Sequence, residues 1–108
     1  MSDFYIKQND TSPAIRAQFL DNDKNPVSIV GGSVKFKMSV YNTGELIVND
    51  SAVISDGEEG IAYYVWSPED TAIAGTFKAE FEVTYSDTYV ETFPHDGYLT
   101  IQIDADLD

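Results

Sequence analysis

Tyr63-Tyr64-Val65-Trp66-Ser67-Pro68-Glu69-Asp70-Thr71-Ala72-Ile73-Ala74-Gly75-Thr76-Phe77-Lys78-Ala79-Glu80-Phe81-Glu82-Val83-Thr84-Tyr85 is the stretch that decides the fold. An aromatic run ends at Trp66, a corner marked by Pro68 and Gly75 follows, and strict alternation begins at Thr76. Phe77, Ala79, Phe81, Val83 and Tyr85 fall on one side, with Lys78, Glu80, Glu82 and Thr84 on the other, which is the period of a strand with one wet face. Two strands joined at one end of a β-sandwich account for the pattern. Between them, Ser67 caps and Pro68 starts a single short helical turn near 68–74, with Glu69 and Asp70 at its positive end and Gly75 stopping it.

Working outward, similar runs recur over 4–8, 14–20, 34–41, 45–48, 52–55, 61–66, 76–85 and 98–103, about eight strands. Turn formers separate them: Asp10 to Pro13, Asp21 to Pro26, Gly31-Gly32, Tyr41 to Gly44, Asp56 to Gly60 and Pro94 to Gly97. Val34, Phe36, Met38 and Val40 alternate with Lys35, Lys37 and Ser39, and Leu99, Ile101 and Ile103 with Thr100 and Gln102. Two sheets bury these stripes against each other. Lys35 and Lys37 are expected to pair across strands with Glu80 and Glu82, setting register more than stability. Over 61–66 apolar residues occupy both faces, so the outer side of that strand is either covered within the sheet or offered to a partner.

The chain has 108 residues, enough for one domain with one core. It contains no cysteine, which removes disulfides, thiolate nucleophiles and cysteine-held metals. Nineteen acidic against six basic residues give a net charge of −13, with Arg16 the lone arginine, so the field repels phosphate backbones and direct nucleic-acid binding is disfavoured. No segment approaches the roughly 18 apolar residues of a membrane span, and Met1 to Phe4 do not open a secretory signal. Synthesis in a cytoplasm, without membrane contact, is expected.

The residues offer little chemistry. His95 is the lone histidine, in a Pro-His-Asp-Gly turn, with no nucleophile elbow to serve. Asp21, Asp23 and Asn25 copy the first half of a calcium loop, but Pro26 replaces its glycine and Gly32 its bidentate glutamate; the Asp56 to Glu59 loop is a second weak candidate. Paired carboxylates lack a concave aromatic cleft. No catalytic residue, metal ligand or cofactor is assigned, and the protein is read as not an enzyme.

Three segments taken together, Phe4 to Pro13, Tyr64 to Val83 and Glu91 to Pro94, resemble the N-terminal immunoglobulin-like domain of phage baseplate upper proteins and related phage virion proteins. The resemblance spans nearly the whole chain and implies an all-β, immunoglobulin-like antiparallel sandwich of seven to eight strands over 1–108. It implies a non-enzymatic virion protein made in the host bacterial cytoplasm. Such a tail or baseplate adaptor docks onto other virion proteins in multiple copies, with homo-oligomers or symmetric assemblies expected. In the family a helical or receptor-binding region follows; here the chain stops at Asp108, so a stand-alone adaptor or decoration piece, or a fragment, is expected. Trp66, Asp70, Thr71 and Gly75 form a structural corner in which Asp70 and Thr71 bond backbone amides and Trp66 fills the core with Phe77 and Phe81.

Phe4, Tyr5, Ile6 and Tyr64 are the candidate partner-binding residues. The run from Phe4 to Gln8 is expected either to pair with a neighbouring chain or to form an edge strand of its own sheet. A capsid decoration or head-associated protein is the alternative role. A carbohydrate-binding module is a third, with Tyr63, Tyr64, Trp66, Tyr89 or Tyr98 stacking on sugars. The exposure of Trp66 separates that reading from a core role.

Overall fold

The computed structural model describes residues 3–107. Its centre is the alternating strand read from the sequence, Gly75–Thr84, along which Phe77, Ala79, Phe81 and Val83 are buried. In chain order the strands are β1 Asp3–Lys7, β2 Ile15–Gln18, β3 Ser33–Val40, β4 Leu46–Asp56, β5 Ile61–Tyr64, β6 Gly75–Thr84, β7 Val90–Phe93 and β8 Leu99–Asp104. One layer runs β1-β8-β6-β3-β4, and β4 carries the chain on through β5 to β2, so the path begins and ends on the free edges of β1 and β2. The architecture is an all-β sandwich, as the alternation predicts, and of the immunoglobulin-like kind that the resemblance implies. One pairing departs from antiparallel: β1 lies parallel to β8, Tyr5 opposite Gln102 and Ile6 opposite Ile103.

Two elements differ from the sequence reading. The expected strands over 45–48 and 52–55 are a single strand, β4, because Asn49, Asp50 and Ser51 keep the ladder going opposite Lys37, Phe36 and Lys35 while remaining exposed. Leu46 to Ala52 pair with β3 and Val53 to Asp56 with β5, so this one strand belongs to both layers. The strand β7 is new. It continues the flank of β6 that β8 begins: β8 pairs with Gly75 to Ala79, and β7 with Phe81 to Thr84. Its Phe93 ring lies 4.8 Å from Phe19 in the core.

The outer and inner faces of β5 resolve cleanly, with Ala62 and Tyr64 inward and Ile61 and Tyr63 half-buried on the outer side. Lys37 Nζ reaches Glu82 Oε2 at 2.9 Å, although Lys37 is registered opposite Glu80 and Lys35 opposite Glu82. The ion pair is therefore diagonal, and both side chains are more than a quarter exposed, which limits its worth. At the β4–β5 turn, Gly60 has φ 67° and a Cβ there would lie 2.4 Å from the Val27 carbonyl oxygen, so only glycine fits.

Candidate docking surface

The corner after β5 is a short 3₁₀ turn, Pro68–Thr71, shorter than the 68–74 expected. Ser67 enters it in extended conformation (φ −90°, ψ 154°) and Pro68 supplies the first turn residue, since the missing amide has no partner to lose there. Asp70 Oδ2 accepts both the Ser67 amide at 2.8 Å and the Tyr64 hydroxyl at 2.5 Å. Burial, reinforced by the neighbouring carboxylate, pushes the Tyr64 phenol well above its ordinary pKa, so it remains a donor.

The sequence expected Thr71 to bond an amide as well. Its fully buried hydroxyl instead donates to the Asp10 carbonyl at 2.8 Å, because the chain leaving β1 passes directly over the corner. The Asn9 amide donates back to the Thr71 carbonyl at 2.9 Å, and Gln8 Nε2 to the Ala72 carbonyl at 2.7 Å. Asn9 turns with φ 69°, a conformation asparagine tolerates. The corner thus clamps the end of β1.

Aromatic packing completes the clamp. Tyr64 stacks on Phe36 (4.7 Å, 17°), and Trp66 meets both edge-on at 84° while its ring lies 5.8 Å from Phe4. Trp66 is 2% exposed, so it is core, as are Phe77 and Phe81, although its ring neighbours are Phe4, Phe36 and Tyr64.

Of the four candidate partner-binding residues, the structure puts one on the open surface. Tyr5 is 63% exposed, Phe4 is half-buried against the core, Ile6 is buried, and Tyr64 is 3% exposed. Alternation explains the division, because Phe4 and Ile6 face inward from a strand whose outer positions are Asp3, Tyr5 and Lys7. Burial corrects the placing of Ile6 and Tyr64 on a surface; their side chains support the strand and corner from within. The run from Phe4 to Gln8 lies along β1, an edge strand of its own sheet, whose other edge has no partner among the described residues.

The remaining candidates are dispersed. Tyr64 and Trp66 are buried, Tyr63 and Tyr98 are half-buried, and Tyr89 stands exposed on the β6–β7 hairpin, so no open face holds several coplanar rings from this set. Tyr98 instead meets Tyr41 at 81°, their hydroxyls 2.9 Å apart and the Lys78 ammonium 5.0 and 5.1 Å from the two ring centres. The hydrogen bond to Tyr41 raises the Tyr98 pKa. His95 Nε2 contacts Glu91 Oε2 at 2.5 Å, and the other oxygen of Glu91 accepts the Tyr85 hydroxyl. Burial and that carboxylate push the Tyr85 phenol upward too.

In the first acidic loop, Asp21 Oδ1 accepts the amides of Asp23 and Asn25, both at 2.9 Å; in the second, Asp56 accepts the Glu59 amide at 3.2 Å. Among the described residues no three His, Asp or Glu side chains gather as a metal site would need. Sequence reasoning missed the Tyr85–Glu91–His95 chain because it left 86–93 without a strand.

With this geometry in place, comparison with known proteins is decisive at one point: the model of the BppU N-terminal domain matches residues 3–96. The chain belongs to the BppU N-terminal domain family. The phage baseplate upper protein family makes this BppU-type domain a structural component of the bacteriophage virion, at the baseplate, among other virion proteins. No curated protein matches the chain. Among solved structures, the crystal structure of CopC from Methylosinus trichosporium OB3b superposes with a TM-score of 0.57 at 14% identity, covering 100% of this chain and 89% of that one. At that identity the likeness concerns the sandwich alone.

Proposed function

We propose that residues 1–108 act as one non-enzymatic adaptor domain of the phage tail baseplate, docking onto another virion protein in multiple copies. The observation that carries this reading is the construction of β1. The strand is ladder-bonded to β8 on one side and tied at its end by Thr71 and Ala72, yet it leaves a free edge and a 63%-exposed Tyr5 facing outward. A rigid edge strand lowers the ordering cost of docking, and tyrosine is a preferred anchor in such contacts. Synthesis in the host bacterial cytoplasm is part of this reading and follows from the family resemblance alone.

Removal of residues 1–9 would strip Ile6 from the core and the corner of its partners, so point substitution is the cleaner test. Tyr5→Asp is expected to leave circular dichroism and melting unchanged while lowering incorporation into particles at least tenfold in a complementation assay. Full incorporation of the Tyr5→Asp protein would refute docking through β1.

A further inference from the structure

The second free edge, β2, is built differently from the first. The Phe19 amide donates to the Gly60 carbonyl at 2.8 Å in unbroken register with the β2–β5 ladder. Residues of the same parity, Ile15 and Ala17, therefore turn their backbone groups toward β5, whereas Arg16 and Gln18 turn N–H and C=O to the open side. Their side chains are exposed on the outer face, while Ile15 and Phe19 are buried and Ala17 packs against the core. Beside this edge lie two hollows of about 290 Å³ each that share Ala17, Gln18 and Leu99 and extend over Phe4 and Asp3 on one side, where Asp3 is the one carboxylate lining the hollow that Arg16 also lines, and over Leu20, Pro94 and His95 on the other.

Charge singles the edge out. From Ser12 to Leu20 there is no carboxylate in a chain of net charge −13, whereas β1 carries Asp3 and Lys7 and runs beside Asp104. Edge strands are commonly guarded by charge against pairing, and β2 holds only Arg16, which has no carboxylate partner among the described residues.

We propose that β2 is the self-association edge of this domain, pairing antiparallel with β2 of a second copy about a two-fold axis at Ala17. That register sets Arg16 opposite Gln18 of the other copy, twice. Both residues point their free backbone groups at each other, so each pairing exchanges two hydrogen bonds. Side-chain parity is kept: Ile15, Ala17 and Phe19 remain on the core side and the Arg16–Gln18 pairs on the outer side. A two-fold centred on Arg16 would oppose two like charges, and a one-residue shift would turn core residues outward. The second copy is favoured as occupant because this is the free edge along which two acidic molecules meet without a carboxylate in the strand, and because its pattern is self-complementary. The proposal rests on the multi-copy reading above and specifies its contact.

Analytical ultracentrifugation of the full chain at increasing concentration tests it. The expected mass rises from 12.0 kDa toward twice that value, more readily at high salt, where repulsion between the acidic bodies is screened. Gln18→Lys, which opposes Arg16, should weaken association about tenfold, and Gln18→Glu should strengthen it, both with unchanged circular dichroism. A 12.0 kDa species at every concentration and salt, or association indifferent to both substitutions, overturns the proposal. Particle incorporation reads the adaptor role separately: a monomer that still incorporates through Tyr5 removes the β2 contact alone, and a β2-dependent dimer that fails to incorporate removes the docking reading alone.

Discussion

Tyr64 and Asp70 are six residues apart in sequence and joined by a 2.5 Å hydrogen bond that ties the inner face of β5 to the turn holding β1. The carboxylate bonds the Ser67 amide as well, so one side chain sets both the entry of the turn and the position of an aromatic ring. Asp70→Ala is expected to cost about 2–4 kcal/mol, because it removes charge-assisted bonds and leaves a buried phenol unpartnered. Tyr64→Phe should cost about 1–2 kcal/mol, and the double variant less than the sum. Urea denaturation of the three variants measures this; simple additivity would deny the coupling.

Alkaline stability follows from the same phenol. The Tyr64 and Tyr85 pKa values are raised above the ordinary 10.0 in the folded protein, chiefly by burial and then by Asp70 and Glu91. A group whose folded value is raised contributes its full stability below the unfolded value and loses it as pH climbs toward the folded one. The melting temperature should therefore hold up to about pH 10 and fall beyond it. Tyr64→Phe and Tyr85→Phe should flatten that fall, and an unaltered slope in both would contradict the assignment.

Thr71→Val keeps the shape of a fully buried side chain but deletes its bond to the Asp10 carbonyl. The expected loss is about 1–3 kcal/mol, since the carbonyl is left unpaired. Amide exchange should accelerate first along β1, at Phe4 and Ile6, whose backbone groups face β8, before the β3–β6 ladder responds. Uniform acceleration throughout the molecule would show that the corner does not act on β1 in particular.

Gly60→Ala should destabilise by about 2 kcal/mol or more, since the site combines a φ of 67° with a carbonyl oxygen 2.4 Å from the added methyl group. Gly44 provides the control: it too has positive φ, but nothing lies within 4 Å of a Cβ there, so Gly44→Ala should cost only about 1 kcal/mol. Equal losses would mean that backbone strain alone governs both turns.

The alternation of β3, β6 and β8 made the core stripes legible, because each period-two run has one buried side in the structure. The start of the corner was readable as well, since Ser67 and Pro68 act through local backbone preferences, but its end was not: the turn stops at Thr71, and Gly75 opens β6 instead of terminating a helix. What depends on long-range register was not. Asn49 to Ser51 look like a turn in isolation and become strand only through their partners on β3. Val90 to Phe93 are too short to announce a strand and form one because β6 extends past the end of β8. The docking candidates divided for the same reason: proximity to the terminus drew attention to Phe4, Tyr5 and Ile6 together, whereas the pleat separates Tyr5 from its neighbours.

The parallel pairing of β1 with β8 has a mechanical consequence. Asp3 lies at the start of that ladder and Asp104 at its end, opposite Lys7, so tension transmitted along the polypeptide from before Asp3 to beyond Asp104 pulls the two strands past each other lengthwise. Every rung then bears the load at once, instead of parting one after another as in a hairpin peeled from its tip. A pull passed between those two ends would therefore shear the ladder as one unit, not open it strand by strand.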